Sequence, residues 1–273
     1  VFPSESTRCI LTVIGVLGSG IGGLTVVREL IKQLPEYDLI YLGDTARAPY
    51  GDKSPETVTR WALRNTGFLL DKGATLLVTA CNTISSIASE TVSKRYDLPV
   101  FEVITPGVER ALSYSKKLMI GVIGTRTTIE SGIYEEKIKQ MSPEAKVYSM
   151  ACPLLVPLVE EGWIKKPETT MIIKKYLHPL KAKQVDTLIL GSTHYVRIKK
   201  IIQVKIGKRV NIVDTSEPVA AKVEGFLKDN KETERNLGKN GRYRFFVSDL
   251  TERDQKLAAS IVKRNILLEK GEN

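Results

Sequence analysis

The chain has 273 residues, 42% hydrophobic and 26% charged, a balance ordinary for a globular protein and long enough for one large core or two smaller ones. No apolar run approaches the roughly 20 residues of a membrane-spanning helix, and Val1 to Thr12 carries Ser, Glu and Arg instead of a basic stretch followed by an apolar one, so the expectation is a soluble, cytoplasmic chain with no membrane partner. Lysines and arginines outnumber acids 41 to 31, but they are dispersed in small groups such as Lys174-Lys175 and Lys199-Lys200, aromatics are 7% and no nucleic-acid motif is present; the +10 charge reads as a solvated face that also draws in small anions.

The elements alternate in type along the chain. Leu11 to Leu17 predicts a strand, Gly18-Ser19-Gly20-Ile21-Gly22-Gly23 a turn, Leu24 to Leu34 an amphipathic helix stopped by Pro35, and Leu39 to Leu42 a strand ending in Gly43-Asp44. This unit matches G-x-G-x-x-G through Gly18, Gly20 and Gly23, with Asp44 where a ribose-binding acid would sit. A dinucleotide site is therefore one reading. The other is that the glycines let the backbone approach a small carboxylate. Ala48 to Glu56 is rich in turn formers, with Ser54 as N-cap and Pro55 opening a helix to about Lys72. Tyr50 and Gly51 either line a site there or shape the turn. A strand then runs into Cys81, a helix follows from about Ser85 to Arg95, and Val100 to Ile104 is a strand. Thr105-Pro106-Gly107 breaks the pattern and marks a crossing into a second half.

That half repeats the rhythm. Helix Val108 to Ser115, strand Met119 to Ile123, the turn Gly124-Thr125-Arg126-Thr127-Thr128 and helix Ile129 to Met141 lead to strand Lys146 to Ser149 and the segment Leu155 to Trp163. Helix Glu168 to Leu180 precedes strand Thr187 to Gly191, and Asn211 to Val213 is the last strand of this half. Pro218 to Lys228 predicts a helix, Asp229 to Gly241 a flexible polar stretch, Tyr243 to Val247 a strand and Arg253 to Leu267 a closing helix. Strands alternating with helices predict an α/β fold with mainly parallel sheets.

Two strand ends share one design. Leu76-Leu77-Val78-Thr79-Ala80 delivers Cys81-Asn82-Thr83, and Thr187-Leu188-Ile189-Leu190-Gly191 delivers Ser192-Thr193-His194. Buried parallel strands present such polar residues at the carboxyl edge of a sheet. If the halves face each other, Cys81 and the Ser192/His194 pair approach one pocket from opposite sides, which suits moving a proton across a carbon. The three cysteines, Cys9, Cys81 and Cys152, are widely spaced and form neither a disulfide framework nor a zinc pattern. Cys9 and Cys152 read as packing, and Cys81 as the reactive thiol.

Gly20-Ile21-Gly22-Gly23-Leu24-Thr25-Val26, Gly43 to Gly51, Ala80-Cys81-Asn82-Thr83, Pro157 to Gly162 and Leu190 to Tyr195 together resemble the glutamate racemases of bacterial wall synthesis, over nearly the whole chain. The resemblance implies two pseudo-symmetric α/β domains, residues 13–104 plus 214–273 and residues 105–213, with the active site in the cleft between them. It implies a small-molecule substrate, glutamate or a related carboxylate, no cofactor and no metal, and a homodimer. Carried over by motif, Cys81 is one of two groups that exchange the α-proton. Gly18, Ser19, Tyr50, Gly51, Asn82, Thr83, Thr125 and Thr193 fall at substrate-binding positions, Glu160 matches an auxiliary acid and His194 the histidine beside the second thiol.

Two positions depart from the family pattern. Gly18 stands where the family has an aspartate assisting the first thiol, and Ser192 where it has the second cysteine. A serine hydroxyl is a poor base unless a partner such as His194 takes its proton. Losing one positioned acid or base typically costs about 10² to 10⁴ in rate. The expectation is therefore an impaired racemase, with a one-thiol or inactive relative that binds a small carboxylate as the alternative.

Overall fold

The computed structural model describes residues 12–271, so Cys9 and the predicted strand residue Leu11 lie outside it. The chain opens with β1 (Val13–Gly18), α1 (Leu24–Gln33), β2 (Leu39–Gly43), α2 (Pro55–Asp71), β3 (Ala74–Thr79), α3 (Asn82–Ile87), α4 (Ser89–Tyr96) and β4 (Val100–Glu102). It continues through α5 (Ile104–Tyr114), β5 (Met119–Gly124), α6 (Arg126–Glu130), α7 (Ile133–Met141), β6 (Lys146–Ala151), α8 (Leu155–Glu160), α9 (Pro167–Ala182), β7 (Thr187–Gly191), α10 (Lys199–Ile206) and β8 (Asn211–Asp214). The last part is α11 (Ser216–Asp229), α12 (Lys231–Asn236), β9 (Tyr243–Val247), α13 (Glu252–Val262) and β10 (Leu268–Lys270).

Two parallel sheets result, with strand orders β10-β9-β2-β1-β3-β4 and β6-β5-β7-β8. The segment β2-β1-β3-β4 and the whole second sheet share one order, in which the first strand lies between the second and the third. The third strand of each unit, β3 and β7, pairs with the first, so the residues after it emerge at the switch point where α/β sheets place their ligands. Central strands are buried on both faces, which explains why β1, β2 and β7 read as continuous apolar runs. One apolar cluster runs from Val16 and Val78 through Ile104 and Val108 to Ile120 and Ile189, so the cores beneath the two sheets are continuous.

Several sequence expectations are corrected by local chemistry. Thr105-Pro106-Gly107 lies inside the first turn of α5 and does not break the chain. Proline is tolerated there because its missing N–H has no helical partner in any case, and the Glu102 carboxylate accepts from the N–H of Thr105 at 2.9 Å. The helix expected from Ser85 begins at Asn82, directly after Cys81, and is interrupted at Ala88, while the one expected over Ile129 to Met141 is split at Gly132 with φ +71°. The closing helix ends at Val262, and Leu268–Lys270 then adds an edge strand parallel to β9 that the sequence reading missed.

The polar stretch Asp229 to Gly241, expected to be flexible, is tied down. It forms α12, buries Leu237 and returns to buried Asp38, which accepts hydrogen bonds from the backbone of Asn240 (3.1 Å) and Arg242 (2.8 Å) and from Asn240 Nδ2 (3.0 Å). Tyr37 donates to Glu234 Oε1 at 3.0 Å. Burial first, and that acceptor second, push the Tyr37 phenol up to about 12. A raised folded-state pKa means stability that is fully present below the ordinary phenol value near 10 and is lost as pH rises toward 12. Urea denaturation of wild type and Tyr37→Phe between pH 9 and 11.5 should therefore show a steeper alkaline decline in the wild type, and parallel curves would remove Tyr37 from the account.

Candidate active site

Cys81 sits in extended backbone just after β3, immediately before the first turn of α3, and its side chain is buried. Ser192 occupies the equivalent place after β7, also extended and buried, ahead of a 3₁₀ turn over Thr193–Ile198. The two face one small cavity, walled also by Ser19, Tyr50, Gly51, Asn82, Thr83, Thr125, Thr193 and His194. Every candidate residue from the sequence lines this cavity except Gly18 and Glu160. Pro49, Val156 and Gly191 complete the wall and were not anticipated. The cavity measures about 20 Å³, close to what a single water needs. No lysine or arginine lines it, so a carboxylate entering here meets hydroxyl, amide and backbone donors.

Glu160 stands behind His194, its Oε1 3.2 Å from His194 Nε2, and faces an outer groove of about 290 Å³ that Arg197 and Arg253 also wall. His194 thus has its polar partner in Glu160, while its Nδ1 edge lies over Gly22. A Cβ at Gly22 would come within 2.8 Å of Thr193 Oγ1 and 2.9 Å of His194 Nδ1. Gly22 therefore has the role of admitting the second half's strand end against the first half's loop, a close approach that periodicity in the sequence does not reveal.

Gly18 lies outside the wall because a tyrosine stands beside it. The Tyr41 ring lies against Gly18, Gly23 and Gly43, and its hydroxyl donates to the Gly20 carbonyl. A Cβ at Gly18 would overlap that hydroxyl, one at Gly23 would lie 2.7 Å from it, and one at Gly43 would lie 3.0 Å from Cε1 of the ring. Two glycines of the G-x-G-x-x-G pattern, Gly18 and Gly23, thus make room for a phenol. Asp44, the candidate ribose acid, is fully buried and already accepts from Arg47 Nη1 (2.9 Å), Asn65 Nδ2 (3.2 Å), Ser248 Oγ (2.6 Å) and the Tyr50 hydroxyl. The dinucleotide reading is thereby overturned.

The Asp44 bond and burial hold Tyr50 as a neutral phenol, its pKa well above the ordinary value chiefly because of burial. Thr83, Thr125 and Thr128 form a buried triangle of hydroxyls, 3.1, 3.0 and 2.9 Å apart, and Thr127 donates to the carbonyls of Gly51 (3.1 Å) and Lys53 (3.0 Å). Cys152 is packed in the second apolar cluster, where burial alone pushes its thiol up, so it is inert. Among the described residues no three His, Cys, Asp or Glu side chains converge as a metal ion would require.

Two like-ordered parallel units whose third strands bring a thiol and a hydroxyl to one cavity make this a two-lobed α/β protein with a site suited to proton transfer at a carbon. Comparison with known proteins agrees. The family model for Asp/Glu/hydantoin racemases matches residues 14–223. The glutamate racemase of Geobacter metallireducens is 46% identical over 237 residues, 87% of each chain. Among solved structures, a glutamate racemase isoform from Bacillus anthracis superimposes with a TM-score of 0.89 at 35% identity, covering 96% of this chain and 97% of its own. The Francisella tularensis glutamate racemase in complex with D-glutamate gives a TM-score of 0.88 at 37% identity over 96% and 98%. The chain belongs to the Asp/Glu/hydantoin racemase family, among its glutamate racemases.

The packing at Gly22 makes a prediction. Gly22→Ala should displace Thr193 and His194, lower stability by about 1 to 3 kcal/mol as overpacking does, and shift the His194 imidazole NMR signals; an unchanged melting curve with unmoved signals would show that the contact has slack.

Proposed function

We propose that the chain interconverts L- and D-glutamate by proton transfer at the α-carbon, without a cofactor, and that its turnover is impaired by Gly18 and Ser192. The observation that carries this reading is the placement of Cys81 and Ser192 at equivalent strand ends on opposite sides of one cavity. In the forward step a thiolate at Cys81 takes the α-proton from one face, leaving the electron pair on carbon, and a group at the Ser192 side returns a proton to the other face. A weakly acidic C–H needs such a preorganised, water-poor site, and a thiol titrates close enough to neutrality to serve. The donors for the two carboxylates are Ser19, Asn82, Thr83, Thr125 and Thr193 with the Tyr50-Gly51 backbone. His194, held by Glu160, is the candidate to supply or take the proton that a serine exchanges poorly.

The wider reading follows from the family. The product serves bacterial wall synthesis, the chain works in the cytoplasm as a homodimer, and its domains are 13–104 with 214–273 and 105–213. Sheet membership supports that division, since β9 and β10 extend the sheet that β1 begins.

Ser192 itself favours a second reading, in which Cys81 exchanges the α-proton on one face and inversion fails. Incubating L- and D-glutamate with the protein in deuterated water separates the two: NMR reads loss of the α-proton and chiral chromatography reads inversion. Slow exchange with inversion is expected, exchange of one enantiomer without inversion would establish the second reading, and no exchange of either would sink both. Cys81→Ala should abolish all exchange.

Ser192→Cys should raise racemisation by about 10² or more. Gly18→Asp should add to that gain only as far as the Tyr41 phenol can swing aside, because the new Cβ takes the place of its hydroxyl. No gain in the double variant would mean that the fault lies elsewhere in the wall.

A further inference from the structure

Asn82 opens α3 from the first sheet, is 2% exposed and lines the cavity. Its side chain is half satisfied. Oδ1 accepts a hydrogen bond of 2.6 Å from the Tyr134 hydroxyl, while Nδ2 is buried with no partner among the described residues. An unpaired buried amide donor costs on the order of 1 to 3 kcal/mol, so its retention at a cavity wall points to a ligand that accepts from it.

Tyr134 belongs to the second half. It is the second residue of α7, aimed by the break at Gly132, and its ring passes beneath the end of β7, where a Cβ at Gly191 would come within 3.3 Å of Cε2. The ring is 2% exposed, and burial, with Glu102 nearby, holds the phenol protonated. Its single hydrogen goes to Asn82 Oδ1. Turning the amide over would leave that hydrogen without an acceptor and would face an oxygen, not two N–H groups, into the cavity.

We propose that Tyr134 is a positioning residue that reaches across the cleft to fix the Asn82 amide with both N–H groups facing the cavity, so that the donor for a substrate carboxylate is set only when the two halves are closed. The inference rests on the reading that the cavity takes an acidic amino acid. It adds a residue to the binding machinery that sequence motifs did not single out, because Tyr134 sits in a helix 52 positions from its partner.

The test measures calorimetric Kd values for D- and L-glutamate with wild type, Tyr134→Phe, Asn82→Ala and the double variant, together with the Asn82 side-chain amide signals by NMR, identified by their loss in Asn82→Ala. Tyr134→Phe keeps the ring and removes one oxygen. It should weaken binding about tenfold, and the double variant should bind no worse than Asn82→Ala alone, the mark of two residues acting as one. A lowered melting temperature with an unchanged Kd would show a structural role only and overturn the proposal, as would additive losses in the double variant. If wild type binds neither enantiomer, the glutamate reading fails, and movement of the Asn82 amide signals in Tyr134→Phe still decides whether the tether exists.

Discussion

The buried carboxylate of Asp44 is the constraint on which the cavity depends. A fully buried carboxylate is expensive unless it is saturated with donors, and four side chains from three parts of the chain converge on this one. Arg47 and Tyr50 come from the loop after β2, Asn65 from α2 and Ser248 from the end of β9. Meeting their needs fixes the 45–51 loop, which in turn presents Tyr50 and Gly51 to the cavity and offers the Gly51 and Lys53 carbonyls to Thr127 of the second half. Removing the carboxylate would take from the loop its shared anchor to α2 and to the end of β9, leaving Asn65 on the Tyr50 hydroxyl (3.2 Å) and Ala46 on Ser248 (3.0 Å) to hold it.

Apolar contacts and hydrogen bonds across the cleft differ in position, and ion pairs such as Arg253–Glu161 at 3.3 Å add to them. Apolar continuity lies beneath the strands, where α5 carries Ile104 and Val108 against residues of both sheets. At the strand ends, beside the packing of Thr193 and His194 on Gly22, the halves share neutral hydrogen bonds: the threonine triangle, Thr127 to the 51–53 carbonyls and Tyr134 to Asn82. A neutral hydrogen bond contributes about 1 kcal/mol net, because water replaces the lost partner on opening. A cavity with room for about one water must widen to admit an amino acid.

The strand ends were the most legible feature of the sequence because a buried parallel strand leaves a plain apolar run, and the polar residues that end it have one place to go. Cys81 and Ser192 were found this way, and both α/β halves with them. Element ends were read less well wherever a side chain outside the element decides them. The Glu102 carboxylate starts α5 through a proline, and a single left-handed glycine turns one expected helix into two. The 229–241 stretch is polar because its groups bond to buried Asp38 and Tyr37, a contact some 200 residues away that composition alone assigns to solvent. Tyr41, Gly22 and Tyr134 escaped for the same reason: their roles exist only across a long-range contact.

Gly18 and Ser192, the two positions read from the sequence as departures, lie in different layers of the site. Ser192 differs from a cysteine by one atom in a wall that is otherwise complete, so the change alters proton affinity and leaves shape almost untouched. Gly18 is set back from the cavity, where the absence of a side chain lets Tyr41 close against three glycines and bond to the Gly20 carbonyl. That phenol stays protonated, because burial holds its pKa far above neutrality. It cannot take a proton as a carboxylate would, and its own hydrogen is committed to Gly20. The Cys81 thiol thus has neutral phenols, Tyr41 and Tyr50, among its neighbours. On the proposed reading, the residues that would recognise an acidic amino acid all line the cavity, while Gly18 and Ser192 fall on the side of proton transfer.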